Sequence, residues 1–205
     1  MKALFLKRPF DVALSTLGII ISAPLWLIFS FLIWADDRGP IFYFQERVGK
    51  NGRIFKAIKF RSMIRYAEKD KGPVQAEEND PRVTKVGRLL RATAMDELPQ
   101  ILNIWKGDMS FVGPRALRPE EQEVHGDSQT KVLQEIPGFD KRHSVRPGLT
   151  GLAQVYLSSD APRLQKFRYD LLYIRQQSFW LDLKLIFLSF WITFRGKWES
   201  RQKKL

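Results

Sequence analysis

Residues able to do chemistry concentrate around AMDELPQILNIW, Ala94 to Trp105, where Asp96 and Glu97 stand side by side ahead of an apolar stretch. The chain around them is strongly basic: Lys and Arg total 34 against 22 Asp and Glu, a formal net charge of +12. Lys59, Arg61, Arg88 and Arg91 precede the pair, and Arg115, Arg142 and Arg146 follow it. Arg115 lies in VGPRA and Arg146 in VRPGLTG, Gly-Pro turns of the kind that hold a guanidinium fork rigidly enough for planar phosphate recognition. Taken singly, each arginine reads as a solvated surface charge, and Arg61 and Arg142 are expected to be no more than that. Together, a carboxylate pair amid fixed cations suggests chemistry on a phosphoanhydride, with a divalent metal linking acid and phosphate.

Leu98, Ile101, Leu102 and Trp105 recur at i, i+3, i+4 and i+7, which predicts a helix from about Glu97 to Lys106 that stops at Gly107. Pro99 then falls in the first turn, where its missing N–H costs nothing. Asp96 falls at or beside the N-cap, at the positive end of the helix dipole. The plainer reading makes Asp96 a cap and Glu97 a complement to the dipole. The cations point further, to a carboxylate kept ionised at neutral pH and able to attack phosphorus as aspartate does in aspartyl-phosphate enzymes. Other phosphate and hydrolase signatures are missing: no Walker loop, no GxGxxG, no HExxH and no GxSxG. The chain has no cysteine and only two histidines, His125 and His143. That excludes a disulfide scaffold, a thiolate metal site and a histidine-rich metal centre.

The elements that must position these residues follow from hydrophobic pattern. Val12 to Ala35 is 24 residues without a charge, long enough to be a membrane-spanning helix. Pro24 divides it, and the arm before the proline is 12 residues, roughly 18 Å as a helix and short of the roughly 30 Å hydrocarbon core. One kinked span and a hairpin that enters and leaves by the same face both remain, and so does a buried core helix. Lys2, Lys7 and Arg8 before the segment argue for a cytoplasmic N-terminus, and a hairpin keeps the rest of the basic chain on that side too. IFYFQERVGKNGRIFKAIKF, Ile41 to Phe60, reads as a β-hairpin about Asn51-Gly52. Tyr66 to Thr84, with Lys71-Gly72-Pro73 and Asn79-Asp80-Pro81, reads as a loop with room for a short helix. Val86 to Leu90 begins a helix that delivers Arg88 and Arg91. Near the C-terminus, Ser178 to Trp198 carries Trp180, Trp191 and Trp198 with Phe179, Phe187, Phe190 and Phe194, snorkelling Lys184, Arg195 and Lys197, and a basic RQKKL tail. It suits an interface helix and a core helix equally.

KAIKFRSM (Lys56 to Met63), RATAMDELPQILNIWKGDMSFVGPR (Arg91 to Arg115) and VRPGLTGLAQV (Val145 to Val155) closely resemble the bacterial sugar transferases of the monotopic phosphoglycosyl transferase superfamily, over about Lys7 to Phe194. The resemblance implies an enzyme that moves a phosphosugar from a UDP-sugar to a polyprenyl phosphate, releasing UMP, as the first membrane step of surface polysaccharide or glycoconjugate assembly. It implies Asp96 as nucleophile on the β-phosphate, Glu97 as a Mg²⁺ ligand, Lys59 and Arg91 as active-site cations, and Arg115 and Arg146 on phosphate. It also implies a re-entrant helix-break-helix at residues 12–35. This chain departs from the family in having Ala23-Pro24 at the bend with Ser22 one place earlier, Ala116 in place of a proline after Arg115, and Gly151-Leu152-Ala153-Gln154 where the family has GWAQ. These are expected to tune the pocket without abolishing it.

The expected fold class is α+β: a mostly helical membrane-associated protein with a β-hairpin, an N-terminal re-entrant hairpin (1–36), a cytoplasmic catalytic part (37–177) and C-terminal amphipathic interface helices with a basic tail (178–205). The expected place is the cytoplasmic face of a bacterial inner membrane, monotopic, with membrane lipid, UDP-sugar and polyprenyl phosphate as partners, and with exposed aromatic surface that suits a homodimer. Two rivals are a membrane-tethered nucleic-acid-binding module, which explains the charge but not Asp96-Glu97, and a membrane scaffold without chemistry. No helix-turn-helix, zinc or RNP pattern supports a nucleic-acid partner.

Overall fold

A computed structural model describes residues 5–65, 67, 80–119, 121–124 and 130–195. Expectations for Lys2, for the loop around Lys71-Gly72-Pro73 and Asn79, for His125, and for Lys197, Trp198 and the basic tail lie outside the described residues.

The charge-free segment belongs to one helix, α1 (Lys7–Asp37), of 31 residues, with Pro24 inside it and no interruption at Ala23-Pro24. At about 46 Å it exceeds the roughly 30 Å hydrocarbon thickness, and among the described residues it is the one helix long and apolar enough to cross a membrane. Most of it is exposed, including Leu17, Ile20, Ile21, Leu27, Ile28 and Phe31, which rules out the buried core helix. Ser22 finds a role despite its displaced position: its hydroxyl accepts from Trp26 Nε1 at 2.9 Å, bridging the proline turn. Trp26, Phe29 and Ile33 in turn pack on Phe42, Phe60 and Leu90.

Both ends of α1 are fastened to the same polar body. Lys7 Nζ reaches Asp182 Oδ2 at 2.5 Å, Tyr173 Oη at 2.9 Å and the Val112 carbonyl at 3.0 Å. Arg8 donates to the Ile104 and Trp105 carbonyls at 2.6 and 2.7 Å. At the other end Asp37 pairs with both terminal nitrogens of Arg61. Arg61 is therefore buried and ion-paired, a correction to its expected place as a solvated charge. A guanidinium taken out of water needs such a partner.

β1 (Phe42–Val48) and β2 (Ile54–Phe60) pair antiparallel, Val48 opposite Ile54 and Phe42 opposite Phe60. Their connection is five residues, with Asn51 and Gly52 both at positive φ, so the Asn-Gly signal holds inside a wider turn. Next come α2 (Lys85–Ala92) and α3 (Gln100–Lys106), the latter ended by Gly107 at φ 96. β3 (Ser110–Val112), β4 (Gln122–Val124), β5 (Thr130–Val132), α4 (Phe139–Arg142), β6 (Gly148–Thr150), α5 (Leu152–Tyr156), α6 (Arg163–Gln176) and α7 (Phe179–Phe194) complete the order. β3 pairs parallel with β6, and β4 antiparallel with β5. The α+β class stands.

α7 has one buried face and one exposed face. Leu185 and Ile192 pack into a core with Val112, Leu152, Val155 and Tyr173, while Trp180, Phe187, Phe190 and Phe194 are exposed. α3 is fixed to the hairpin by Asn103, which is buried: its Nδ2 donates to the Lys56 carbonyl at 2.8 Å and its Oδ1 accepts from Ile58 N–H at 2.9 Å. Asn103→Leu strands both backbone groups and is expected to cost about 1–3 kcal/mol, read as a lower Tm of the detergent-solubilised protein. An unchanged Tm would show that this amide does not hold α3 in place.

Candidate active site

Asp96 and Glu97 sit on a tight turn, Met95–Glu97, entered through Ala94 at φ 55. α2 delivers the chain to it. Thr84 caps α2 by accepting from Gly87 N–H at 2.9 Å, and α2 ends at Ala92. The predicted helix from Glu97 is corrected here. Leu98 N–H bonds Met95 O at 3.2 Å in the tighter i to i+3 pattern, Pro99 takes the N-cap, and α3 begins only at Gln100. Asp96 therefore does not cap α3, and a helix of 7 residues offers the pair little dipole. Its electrostatics come from side chains instead.

Glu97 is buried and its Oε1 is shared by Lys59 Nζ at 2.8 Å and Arg115 at 3.1 Å. Burial alone would raise its pKa, but Lys59 and Arg115, with Arg47 further off, hold it well below the usual carboxylate range. Asp96, beside it, is half-buried. The two strands of the hairpin offer one face to this cluster, because Gln45 lies opposite Ala57, Arg47 opposite Phe55 and Tyr43 opposite Lys59. The cleft over Glu97 is lined by Arg47, Ala57, Lys59, Gln100, Met109, Arg115, Ala116, Gly148 and Leu149.

Arg115 is aimed by backbone packing. Gly113 N–H bonds Thr150 O at 2.9 Å, and Gly148 N–H bonds Pro114 O at 2.9 Å. A Cβ on Gly148 would lie 2.0 Å from the Gly113 nitrogen, so only glycine fits. From below, Arg142 donates to the Arg115 carbonyl at 2.6 Å and pairs with Asp170 at 3.0 Å. Arg142 is buried, which corrects its expected solvation: its charge is matched by a carboxylate and stacked over Phe167, 4.8 Å from the ring centre.

Of the residues expected at the site, Lys59, Glu97 and Arg115 meet, with Asp96 adjacent. Arg91 is half-buried in the last turn of α2, which packs on the acidic turn. Arg88 is exposed. Arg146 is not brought to the cleft lining. Its Nε donates to the Gly107 carbonyl at 2.7 Å, at the end of α3. Sequence reasoning missed Arg47 and Gln100. For Arg47 the available signal was strand alternation, which puts Gln45 and Arg47 on one face of β1.

Among the described residues no group of three or more His, Asp or Glu side chains could cage a metal. Among the described residues the hydrogen bonds to Glu97 fall on Oε1, so Oε2 is the oxygen that could meet an ion, with Asp96 next in sequence. Mg²⁺ ordinarily takes one or two carboxylates with phosphate oxygens and water, so these residues fit an ion that arrives with a phosphorylated substrate.

Residues 2–196 match a protein family described as bacterial sugar transferase. The chain belongs to that family. It is 42% identical over 196 residues to the UDP-glucose:undecaprenyl-phosphate glucose-1-phosphate transferase of Klebsiella pneumoniae, covering 93% of this chain and 40% of the relative. It is 40% identical over 187 residues to the UDP-N-acetylgalactosamine-undecaprenyl-phosphate N-acetylgalactosaminephosphotransferase of Aeromonas hydrophila, covering 89% and 42%. It is also 39% identical over 191 residues to the exopolysaccharide production protein PSS of Rhizobium leguminosarum bv. phaseoli, covering 90% and 92%. The chain thus spans less than half the length of the first two relatives and nearly all of the third.

Two outcomes test this geometry. Gly148→Ala forces β6 away from the Gly113 turn that follows β3 and is expected to lower Tm and to destroy any activity that depends on Arg115; a variant that melts like the parent would show that the close approach is not required. His143 lies edge-on to Phe139 with ring centres 4.6 Å apart, and burial, then the Arg142 charge, lower it from 6.5 to about 4. Its contribution to stability is complete above pH 6.5 and declines as pH falls towards 4, where the folded imidazole also protonates. His143→Phe is expected to flatten the fall in Tm between pH 6.5 and 4 relative to the parent; an identical slope would contradict this.

Proposed function

We propose that this protein is a phosphoglycosyl transferase that moves a phosphosugar from a UDP-sugar to undecaprenyl phosphate or a similar polyprenyl phosphate. The observation that carries the reading is the buried Glu97 carboxylate, ionised between Lys59 and Arg115 on the same tight turn as Asp96, in a chain whose relatives bear sugar-phosphate transferase names. In the first step an Asp96 carboxylate oxygen bonds to the β-phosphorus and the bond from that phosphorus to the bridging oxygen breaks, with UMP leaving. In the second, a phosphate oxygen of the lipid attacks the same phosphorus, the bond to Asp96 breaks, and a polyprenyl diphosphate sugar forms. Lys59 and Arg115 keep Glu97 ionised and place positive charge where the diphosphate lies. Glu97 Oε2 and Asp96 would hold Mg²⁺, which when bound neutralises phosphate charge. No observation favours the nucleic-acid alternative.

The membrane reading joins the same proposal. Lys7–Asp182 and Asp37–Arg61 tie the two ends of α1 to one polar body; on this reading α1 bends at Pro24 in the lipid, so that both ends stay on one side of the bilayer and the apolar middle enters and returns. The exposed aromatic face of α7 lies in the interface plane. A monotopic arrangement on the cytoplasmic face of the bacterial inner membrane puts the acidic turn at the depth of a lipid phosphate and confines the acceptor to two dimensions.

The test is a panel of UDP-sugars with Mg²⁺, undecaprenyl phosphate and detergent-solubilised protein, read as UMP release. At least one sugar is expected to yield UMP, and Asp96→Asn is expected to abolish it with Tm unchanged; turnover by that variant removes Asp96 as nucleophile, and no UMP from a broad panel removes the function. For the topology, cysteines placed at Phe5 and at Pro40 in this cysteine-free chain are expected to be labelled from the cytoplasmic side only. Labelling of the second from outside would establish a span.

A further inference from the structure

Arg47 differs from the other anchored arginines. Arg61, Arg82, Arg142 and Arg163 each pair with a carboxylate, of Asp37, Asp80, Asp170 and Glu121. Arg115 has Glu97. Arg8 and Arg146 lie on the carbonyls that close α3, where a cation is welcome. Arg47 is half-buried on β1 and held by neutral acceptors alone. Its Nε donates to Gln45 Oε1 at 3.0 Å, one terminal nitrogen also reaches Gln45 Oε1, and the other donates to the Ala116 carbonyl at 2.8 Å. It has no ion pair among the described residues.

That anchoring uses three of the five guanidinium N–H groups and leaves one on each terminal nitrogen. The side chain lines the cleft together with Lys59 and Arg115, and Glu97 is the one carboxylate in that lining. The empty cleft therefore carries a surplus of positive charge that its own residues do not neutralise. Burial first, then the Arg115 charge, lowers Arg47 to about 10, so the cation is held where the protein itself disfavours it. An anion entering the cleft relieves both the desolvation and the repulsion.

We propose that Arg47 is a substrate-binding residue that takes the diphosphate of the sugar-nucleotide donor, with Gln45 fixing the plane of its fork. The proposal rests on the function given above. In this arrangement the hairpin supplies two of the cations, Arg47 and Lys59, from adjacent strands, and the Gly113-Pro114 turn after β3 supplies the third, Arg115. The diphosphate carries one negative charge on each phosphate and is drawn to the surplus that Glu97 leaves among Arg47, Lys59 and Arg115.

The experiment compares UDP and uridine binding to the full-length detergent-solubilised protein by calorimetry, alongside donor KM from UMP release. Arg47→Gln is expected to weaken UDP about 10- to 100-fold, the range for a hydrogen bond to a charged group, to raise donor KM, and to leave uridine affinity unchanged. Arg47→Lys, which keeps the charge and loses the fork, is expected to recover part of the UDP affinity. Unchanged UDP affinity in Arg47→Gln overturns the proposal. So does a parallel loss of UDP and uridine, which would mean that Arg47 only shapes the cleft through Ala116. Should Arg47→Gln not fold, Arg47→Lys decides alone: weaker UDP with unchanged uridine supports the role, and equal UDP affinity overturns it. A parent protein that releases UMP while Arg47→Gln keeps its KM overturns the role of Arg47 only. A parent that releases no UMP with any donor overturns the function itself, and this role with it.

Discussion

The structure turns on one carboxylate oxygen. Glu97 Oε1 is shared between Lys59 from β2 and Arg115 from the Gly113-Pro114 turn after β3, so three segments distant in sequence converge on a single buried charge. Without that charge, two cations would face each other in a partly closed cleft, a repulsion that grows as water is excluded. With it, the cluster stays together and keeps a positive surplus, which is where the proposed function puts an anionic substrate. In that account the interaction serves packing and chemistry at once.

The surroundings of that oxygen are stiff. Arg142 and Arg47 grip the consecutive carbonyls of Arg115 and Ala116, and the contact between Gly113 and Gly148 leaves no room for movement between the strands. Asn103 fastens α3 to β2, and Arg8 fastens its far end to α1. The apolar helix is thus connected to the acidic turn through a helix of only 7 residues. Under the proposed membrane arrangement, the depth of α1 in the lipid would therefore set the depth of the acid pair.

Local signals in the sequence were sufficient for the hairpin, for the helix carrying Arg88 and Arg91, and for the stop at Gly107, because each depends on neighbours a few residues away. The acid pair was visible for the same reason. The start of α3 was misplaced because Pro99 satisfies both a first turn and an N-cap, and the choice fell to tight bonds around Met95 that no pattern announces. Arg61 and Arg142 were misjudged because their partners, Asp37 and Asp170, lie 24 and 28 residues away; burial of an ion pair is a tertiary fact. α7 is apolar on most of its circumference, so periodicity did not say which face meets the core and which stays exposed.

The shared oxygen is tested most directly by a double-mutant cycle of Glu97→Gln and Lys59→Met, followed by thermal unfolding and UMP release. If Glu97 balances the cluster, Glu97→Gln alone lowers stability by leaving Lys59 against Arg115, the added Lys59→Met restores part of it, and the coupling exceeds about 1 kcal/mol, with UMP release lost throughout. Additive losses of stability, or a Glu97→Gln variant that still releases UMP at the parent rate, would contradict it.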